Sequence, residues 1–389
     1  MKFWAIALAL AIGIALLPSC QKKANTNTRV VVTAIGIDAA EEEECHLSIQ
    51  AVEPLKTSGS LTEQEENATA VYEIDGPSVS GALKSFVTHT GRSAYILHNR
   101  VIAIGLDQVK RRSLSSLLDY FVRGSEGRST VDMVICRDRA SDLLKAPSEG
   151  YTIPAEHLSM FLEEGSRWGY AIPADLLTVE RSTSGMFDAA IPIVRLASEE
   201  GEDGQEHNVG IVMDGTAIFR QGEYVGELDE SGTRGLLFVL GKTQQCLINM
   251  AEEIGRQEDR LTIEISHART DVDVKASGTA ATFTFRVKCD AVILEEYLPG
   301  TLPLNQLPQV AKTLERRIQQ DMETALSSTI GWGCDVAGFT RMIRKHCPEI
   351  IRGYEDQWPQ RLRDCRFVVE VQADLTKAGG EADTATPRP

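Results

Sequence analysis

The 389-residue chain contains no Cys-x-x-Cys pair, no His-x-x-x-His and no His-Glu-x-x-His. Those spacings gather metal ligands on one helical turn or one hairpin, so their absence removes the common zinc frameworks and the zinc-protease helix. A phosphate-cradling glycine loop is also missing. Gly331 and Gly333 follow a helical pattern instead of opening a helix from a strand, and they read as a helix end and interhelical turn. Gly76-Pro77-Ser78-Val79-Ser80-Gly81 is one residue too long for a nucleophile elbow, has no strand signal before it, and reads as a Pro-Ser helix start. Positive charge is short too. Forty Lys and Arg against 56 Asp and Glu leave a net charge of −16, which argues against nucleic-acid binding, since phosphate contacts need a basic footprint.

Long apolar runs are absent except for one. After Met1-Lys2, residues 3–17 carry no charge. About fifteen apolar residues match a signal-peptide core and fall short of the roughly twenty that span a bilayer. The run ends in Leu17-Pro18-Ser19-Cys20, a branched apolar residue, a small residue and then Cys. This resembles a bacterial lipobox, with residues 1–19 as signal peptide and Cys20 as the acylated residue; an ordinary secretory signal is the other reading. Two acyl chains on Cys20 would hold the chain firmly at a membrane, with residues 20–28 as a polar linker. No later run is long enough to span, so the remainder is expected to be soluble.

What is present reads as α/β. Residues 29–38 and 45–52 are β-rich and predict a hairpin, and Glu41 to Glu44 between them read as a solvated turn rather than a cation site. A helix starting at Pro77-Ser78, a strand over 95–105, a helix from Ser113, a strand over 130–136 and a helix over 140–144 complete an N-terminal α/β domain, 29–145. Residues 146–198 are turn-rich, with short helices at 157–162 and 174–177 and a strand at 189–196, and suggest a smaller middle domain. The acidic stretch 199–207 reads as a linker. A C-terminal α/β domain, 208–376, follows. It should hold a hairpin turning at Gln221-Gly222, a helix over 233–241, strands at 261–268 and 281–294, an amphipathic helix over 306–330, a helix over 336–346 and a strand at 367–375. Residues 377–389 read as a disordered tail.

Candidate chemistry is sparse. His98 and Arg100 would share one face of the 95–105 strand, where an exposed polar pair is favoured over a ligand pair. Arg123, Glu126 and Arg128 suggest a surface or interdomain ion-pair cluster. If Cys20 is acylated, seven irregularly spaced cysteines remain. They read as small buried residues, with room for one or two disulfides whose pairing the sequence does not choose. No catalytic residue, cofactor site or metal site emerges.

Several longer stretches resemble the Ger(x)C family, the lipoprotein C subunits of nutrient germinant receptors in spore-forming bacteria. They are TAIGID (33–38), ILHNRVIAIG (96–105), LLDYFVRGSEGR (117–128), GTAIFRQGEYVGELDESGTRGLLFVLGK (215–242) and the stretch from GCDVAGF to VQADL (333–375). The resemblance spans nearly the whole mature chain. Family members often carry Trp-Asp and Arg-Glu after the lipid Cys, where this chain has Gln21-Lys22-Lys23-Ala24. The resemblance implies three α/β domains with mixed sheets flanked by helices, and lipidation at Cys20. It also implies a place on the outer face of the spore inner membrane, two integral-membrane partner subunits and no enzymatic activity. A substrate-binding lipoprotein of a transporter is the alternative, and a cell-envelope hydrolase a third reading without a nucleophile, metal or acid pair to support it.

Overall fold

The computed structural model describes residues 29–40, 45–52, 68–124, 128–148, 151–184, 188–200, 206–250, 260–297, 302–352, 357 and 360–377. The stretches read as signal peptide (1–19) and polar linker (20–28, with Cys20), Glu41 to Glu44 and the residues beyond Lys377 lie outside these. The expected mixed α/β architecture is present as two sheets flanked by helices.

The larger sheet begins with an antiparallel meander, β1 (Arg29–Ala39), β2 (Cys45–Val52) and β3 (Thr69–Gly76). On the other side of β1 lie β5 (Val101–Gly105), then β6 (Asp132–Cys136) and β7 (Ala189–Glu200), all parallel to it in turn. The antiparallel ribbon β8 (Glu206–Arg220) and β9 (Glu223–Leu228) closes the far edge. A short β4 (Ser93–Tyr95) pairs with the start of β1. β1 and β5 are almost wholly buried because helices cover both sheet faces, which is why they read as near-continuous apolar runs.

Helices α1 (Val79–Thr90), α2 (Leu106–Arg111), α3 (Leu114–Arg123), α4 (Ala140–Lys145), α5 (Pro154–Arg167) and α6 (Leu176–Thr183) supply that cover. Phe86 of α1, Leu117 and Phe121 of α3 and Val179 of α6 pack on the face carrying Ile35, Ile37 and Ile104. Leu143 and Leu144 of α4 and Leu158 and Leu162 of α5 pack on the opposite face, against Ala34, Ala103 and Val134. Ser78 caps α1 by accepting the Gly81 N–H at 3.1 Å, and Ser113 caps α3, so both expected helix starts are found.

Three expectations change here. Residues 95–105 are not one strand: a 3-10 turn, Ile96–His98, separates β4 from β5. Strand β3 and helix α2 stand where no element was expected. The acidic stretch read as a linker joins neighbouring strands of one sheet, because β7 and β8 stay paired up to Glu200 opposite Glu206. The elements of 146–198 likewise belong to the larger sheet and its cover.

The second sheet has the order β10 (Cys246–Met250), β11 (Arg260–Ser277), β12 (Ala280–Tyr297), β13 (Arg366–Lys377). β12 alternates buried and outward positions, with Phe283, Phe285, Val287, Cys289, Ala291 and Ile293 turned inward. Helices α7 (Glu230–Val239) and α8 (Leu307–Gly331) fill that face through Leu237, Leu314, Ile318 and Met322. The two helices cross closely at Gly235, where a Cβ would overlap the Asp321 carbonyl. The α7 helix starts three residues before the expected 233, because Asp229 caps it by accepting the Gly232 N–H at 2.8 Å. The Gln221-Gly222 turn has φ of 52° and 87°, the two positive values that a tight β8–β9 hairpin needs.

Helices α9 (Phe339–His346) and α10 (Pro348–Ile351) end the helical part. Two buried carboxylates join the sheets: Asp188 accepts the N–H groups of Gln221 at 3.0 Å and Asp335 at 2.7 Å. Asp335 in turn accepts those of Phe339 and Thr340, at 2.5 and 2.8 Å, and so starts α9.

Candidate functional site

Strands β1, β5 and β6 run parallel and end side by side at Ala39, Gly105 and Cys136. From β1 the chain turns back to β2 on one side, while β5 lies on the other. In open α/β sheets the crevice beyond such a reversal of strand order is where ligands bind. Here it is a cavity of about 820 Å³.

Its floor is a row of polar side chains crossing three strands, Asp38 opposite His46 and His46 opposite Asp75. Asp38 accepts the N–H groups of Ala140 at 2.7 Å and Ser141 at 2.9 Å, fixing the start of α4. Burial pushes its carboxyl above the usual carboxylate range against the pull of those two donors. Gly105 backs this carboxylate so closely that a Cβ there would overlap Asp38 Oδ1. His46 sits with Nδ1 2.7 Å from Asp75 and Nε2 3.0 Å from Glu73. Glu73 also meets Lys145, whose hydrogen bond is the main reason its carboxyl lies below the usual range. Arg137 on the rim pairs with Asp214 and Glu227 of the β8–β9 ribbon.

A second cavity, of about 750 Å³, separates α5 and α6 from the turn 241–244. Asp132 lines it and accepts a 2.5 Å hydrogen bond from Ser159.

Of the residues singled out in the sequence, His98 and Arg100 are not brought together on a strand face. His98 ends the 3-10 turn with its ring 5.6 Å from that of Tyr95, and Arg100 reaches Glu156 of α5 at 2.9 Å. Arg123 pairs with Asp119 one turn back, at 2.5 Å, and Glu126 lies outside the described residues. A strand, β3, does run into Gly76, but Ser78 is occupied as the α1 cap. Gly333, with φ 75°, follows the end of α8, where Arg363 donates to the carbonyls of Ile330 and Gly331 at 3.3 and 2.5 Å. Cys45, Cys136, Cys246, Cys289, Cys334, Cys347 and Cys365 are all free thiols, six of them buried. Burial pushes Cys45 up to about 11 and Cys246, Cys289 and Cys334 to about 12, far from the thiolate range that reactive cysteines need. Among the described residues no group of three or more His, Cys, Asp or Glu could hold a metal ion, and no helix is long and apolar enough to cross a membrane.

The same burial gives the fold a pH signature. Asp38, Asp132, Asp188, Asp321 and Asp335 are all raised above 3.8, with desolvation the largest cause in each. A carboxyl raised in the folded state contributes stability that is complete below its unfolded value and is lost as pH rises through its folded value. The thermal midpoint, followed by circular dichroism, should therefore climb as pH is lowered from neutrality through the folded values of these carboxyls. A midpoint that falls over this window would contradict that sign.

Sequence comparison supplies the context for this geometry. Residues 22–196 match the family described as spore germination protein N-terminal domain, and residues 214–379 match spore germination B3/GerAC like, C-terminal. The chain is 21% identical to spore germination protein KC of Bacillus subtilis (strain 168) over 388 residues, covering 95% of this chain and 93% of that one. It is 19% identical to the putative spore germination protein YfkR of the same organism, covering 94% of each. The fold is similar to that of the GerBC protein crystal structure, with a TM-score of 0.57 at 16% identity, over 88% of this chain and 96% of that one. Two consecutive family matches, full-length relatives and a shared fold agree: the chain belongs to the Ger(x)C family of spore germination proteins.

Proposed function

We propose that this protein is the lipid-anchored, non-catalytic subunit of a nutrient germinant receptor. In this reading Cys20 is diacylated on the outer face of the spore inner membrane, and the folded part assembles with two integral-membrane subunits. The observation that carries it is the succession of the two spore germination families along 22–196 and 214–379. The lipobox-like Leu17-Pro18-Ser19-Cys20 supports the anchor, because residues 21–28 leave only a short polar leash between Cys20 and the first strand at Arg29. High thiol pKa values and the Ser78 cap leave those groups poorly suited to nucleophilic catalysis.

Deletion of the gene in its sporulating host should abolish or strongly slow germination with at least one nutrient. Cys20→Ala should give the same defect and shift the protein out of the spore membrane fraction. Spores of a strain lacking every paralogous receptor that still respond normally to all nutrients after the deletion would overturn the reading.

A further inference from the structure

We infer that the open edge of β13 takes up an extended, basic segment of a partner protein, which pairs with Phe367 to Val371 as one further strand and seats its apolar side chains in the groove beside α8. The inference does not depend on the receptor reading, since it concerns only what this edge of the folded chain accepts.

β13 ends the second sheet, and among the described residues no strand pairs with its far side. Backbone direction alternates along a strand, so one set of N–H groups faces β12 and the other faces away. The Ala373 N–H belongs to the second set, because it donates to Glu315 Oε1 of α8 at 3.0 Å. Those of Phe367, Val369 and Val371 turn the same way, and among the described residues they meet no acceptor. Glu315 therefore closes the far end of the edge and leaves Phe367 to Val371 open. Unused edges are usually blunted by proline, a bulge or short length. β13 has none of these: it pairs with β12 without a register shift from Arg366 to Lys377.

An independent sign is the groove along the start of this strand. It holds about 450 Å³ and is walled by Leu326 and Ile330 of α8 together with Leu362 and Phe367. The core-facing side chains Phe367, Val371, Ala373 and Leu375 of β13 are only half-buried, whereas the matching row on β12, Phe283 to Ile293, is buried throughout. β12 has a strand on each side and β13 does not. A strand added to the edge puts every second side chain on that same face, where it fills the groove and completes the cover.

Charge and composition choose the occupant. Glu323 at the groove, Asp364 before the strand and Asp374 on it are exposed, and among the described residues none pairs with a cation. Arg363 is committed to the carbonyls of Ile330 and Gly331, which leaves Arg366 as the one open cation beside three acids among the described residues. A second copy would bring the same acidic rim against itself, on chains that each carry −16. Residues 378–389, AGGEADTATPRP, add two more acids and contain no Leu, Ile, Val or aromatic side chain to fill the groove. A segment alternating basic and apolar residues suits both the rim and the groove.

The test uses the full-length chain and short labelled peptides read by fluorescence anisotropy. An alternating Lys-Val peptide is the probe. A Glu-Val peptide reverses its charge, and a Lys-Ser peptide keeps the charge without the apolar side chains. The Lys-Val peptide should bind, less tightly as salt is added, and the other two should bind at least about tenfold more weakly. Hydrogen exchange should slow at Phe367, Val369 and Val371. With N-methyl groups on every valine or on every lysine, one of the two peptides should lose binding and the other keep it, because only one set of its N–H groups can face β13. Glu323→Lys should weaken binding about fivefold or more. Val371→Pro removes an outward N–H, a change that edge strands tolerate, and should abolish binding with little change in thermal midpoint. If that variant does not fold, the methylated pair still decides. The inference fails if the Lys-Ser peptide binds as well as Lys-Val, if both methylated peptides bind like their parent, or if protection appears away from β13. A dimer in sedimentation that Val371→Pro dissolves would give the edge to a second copy and overturn it too. Germination is not measured, so these outcomes leave the receptor reading to its own test.

Discussion

Arg234→Ala should lower the unfolding free energy by about 3–5 kcal/mol, because it leaves a buried carboxylate facing an empty space. Arg234 lies on α7 and Asp321 on α8, where Gly235 allows the helices to cross closely, and both side chains are about 5% exposed or less. Arg234 Nε and Nη2 both reach Asp321 Oδ2, at 2.8 and 2.7 Å, and Arg317 Nε reaches Oδ1 at 3.2 Å. Burial raises the Asp321 carboxyl even with two guanidinium groups against it, so removing the closer one must raise it further. The double replacement Arg234→Met with Asp321→Leu should recover most of the loss, since two apolar side chains of similar volume need no partner. Urea denaturation of the three variants separates the cases. A single substitution costing less than about 1 kcal/mol would mean that water or Arg317 compensates the carboxylate.

The elements legible in the sequence are those whose burial is complete or regular. β1 was visible because helices cover both its faces, which demands apolar residues at nearly every position from Val30 to Ile37. Helix α8 was visible because Leu314, Ile318, Met322 and Ala325 repeat at helical steps under a polar outer surface. β3 was not, because an edge strand half in solvent needs little apolar sequence: Thr69–Gly76 alternates Tyr72 and Ile74 with Glu73 and Asp75. The break inside 95–105 was hidden for a different reason. Ile96 is buried like its strand neighbours, yet the backbone turns there and Asn99 N–H bonds to the Ile96 carbonyl at 2.9 Å. Apolar content reports burial and does not by itself report whether the chain is extended.

The site was less legible than the fold. Asp38 and Gly105 both lie inside stretches that resemble the family, but nothing in their spacing of 67 residues shows that they touch. The row Asp38, His46 and Asp75 exists only through the β1–β2 and β2–β3 registers. A shift of one residue in either would point His46 to the other face. Arg111 and Arg139 look like ordinary helix-end and loop arginines until the parallel strand order brings them to one crevice.

That register makes Asp38 and Gly105 the most telling pair to alter. Asp38→Ala should cost about 3 kcal/mol, because the N–H groups of Ala140 and Ser141 lose a charged acceptor in a buried place. Gly105→Ala should cost about 1–3 kcal/mol, since the new methyl would overlap the carboxylate that caps α4. Gly105 has φ −60°, a conformation open to alanine, so the penalty is one of space and not of backbone strain. The two effects therefore should not add. Once Asp38 is shortened to alanine the overlap disappears, and Gly105→Ala on that background should cost less than about 0.5 kcal/mol. A double-mutant cycle by urea denaturation reads this as a coupling of about 1 kcal/mol or more. Strict additivity would mean that the methyl meets something other than Asp38, and the crevice floor would then be built differently from the packing described here.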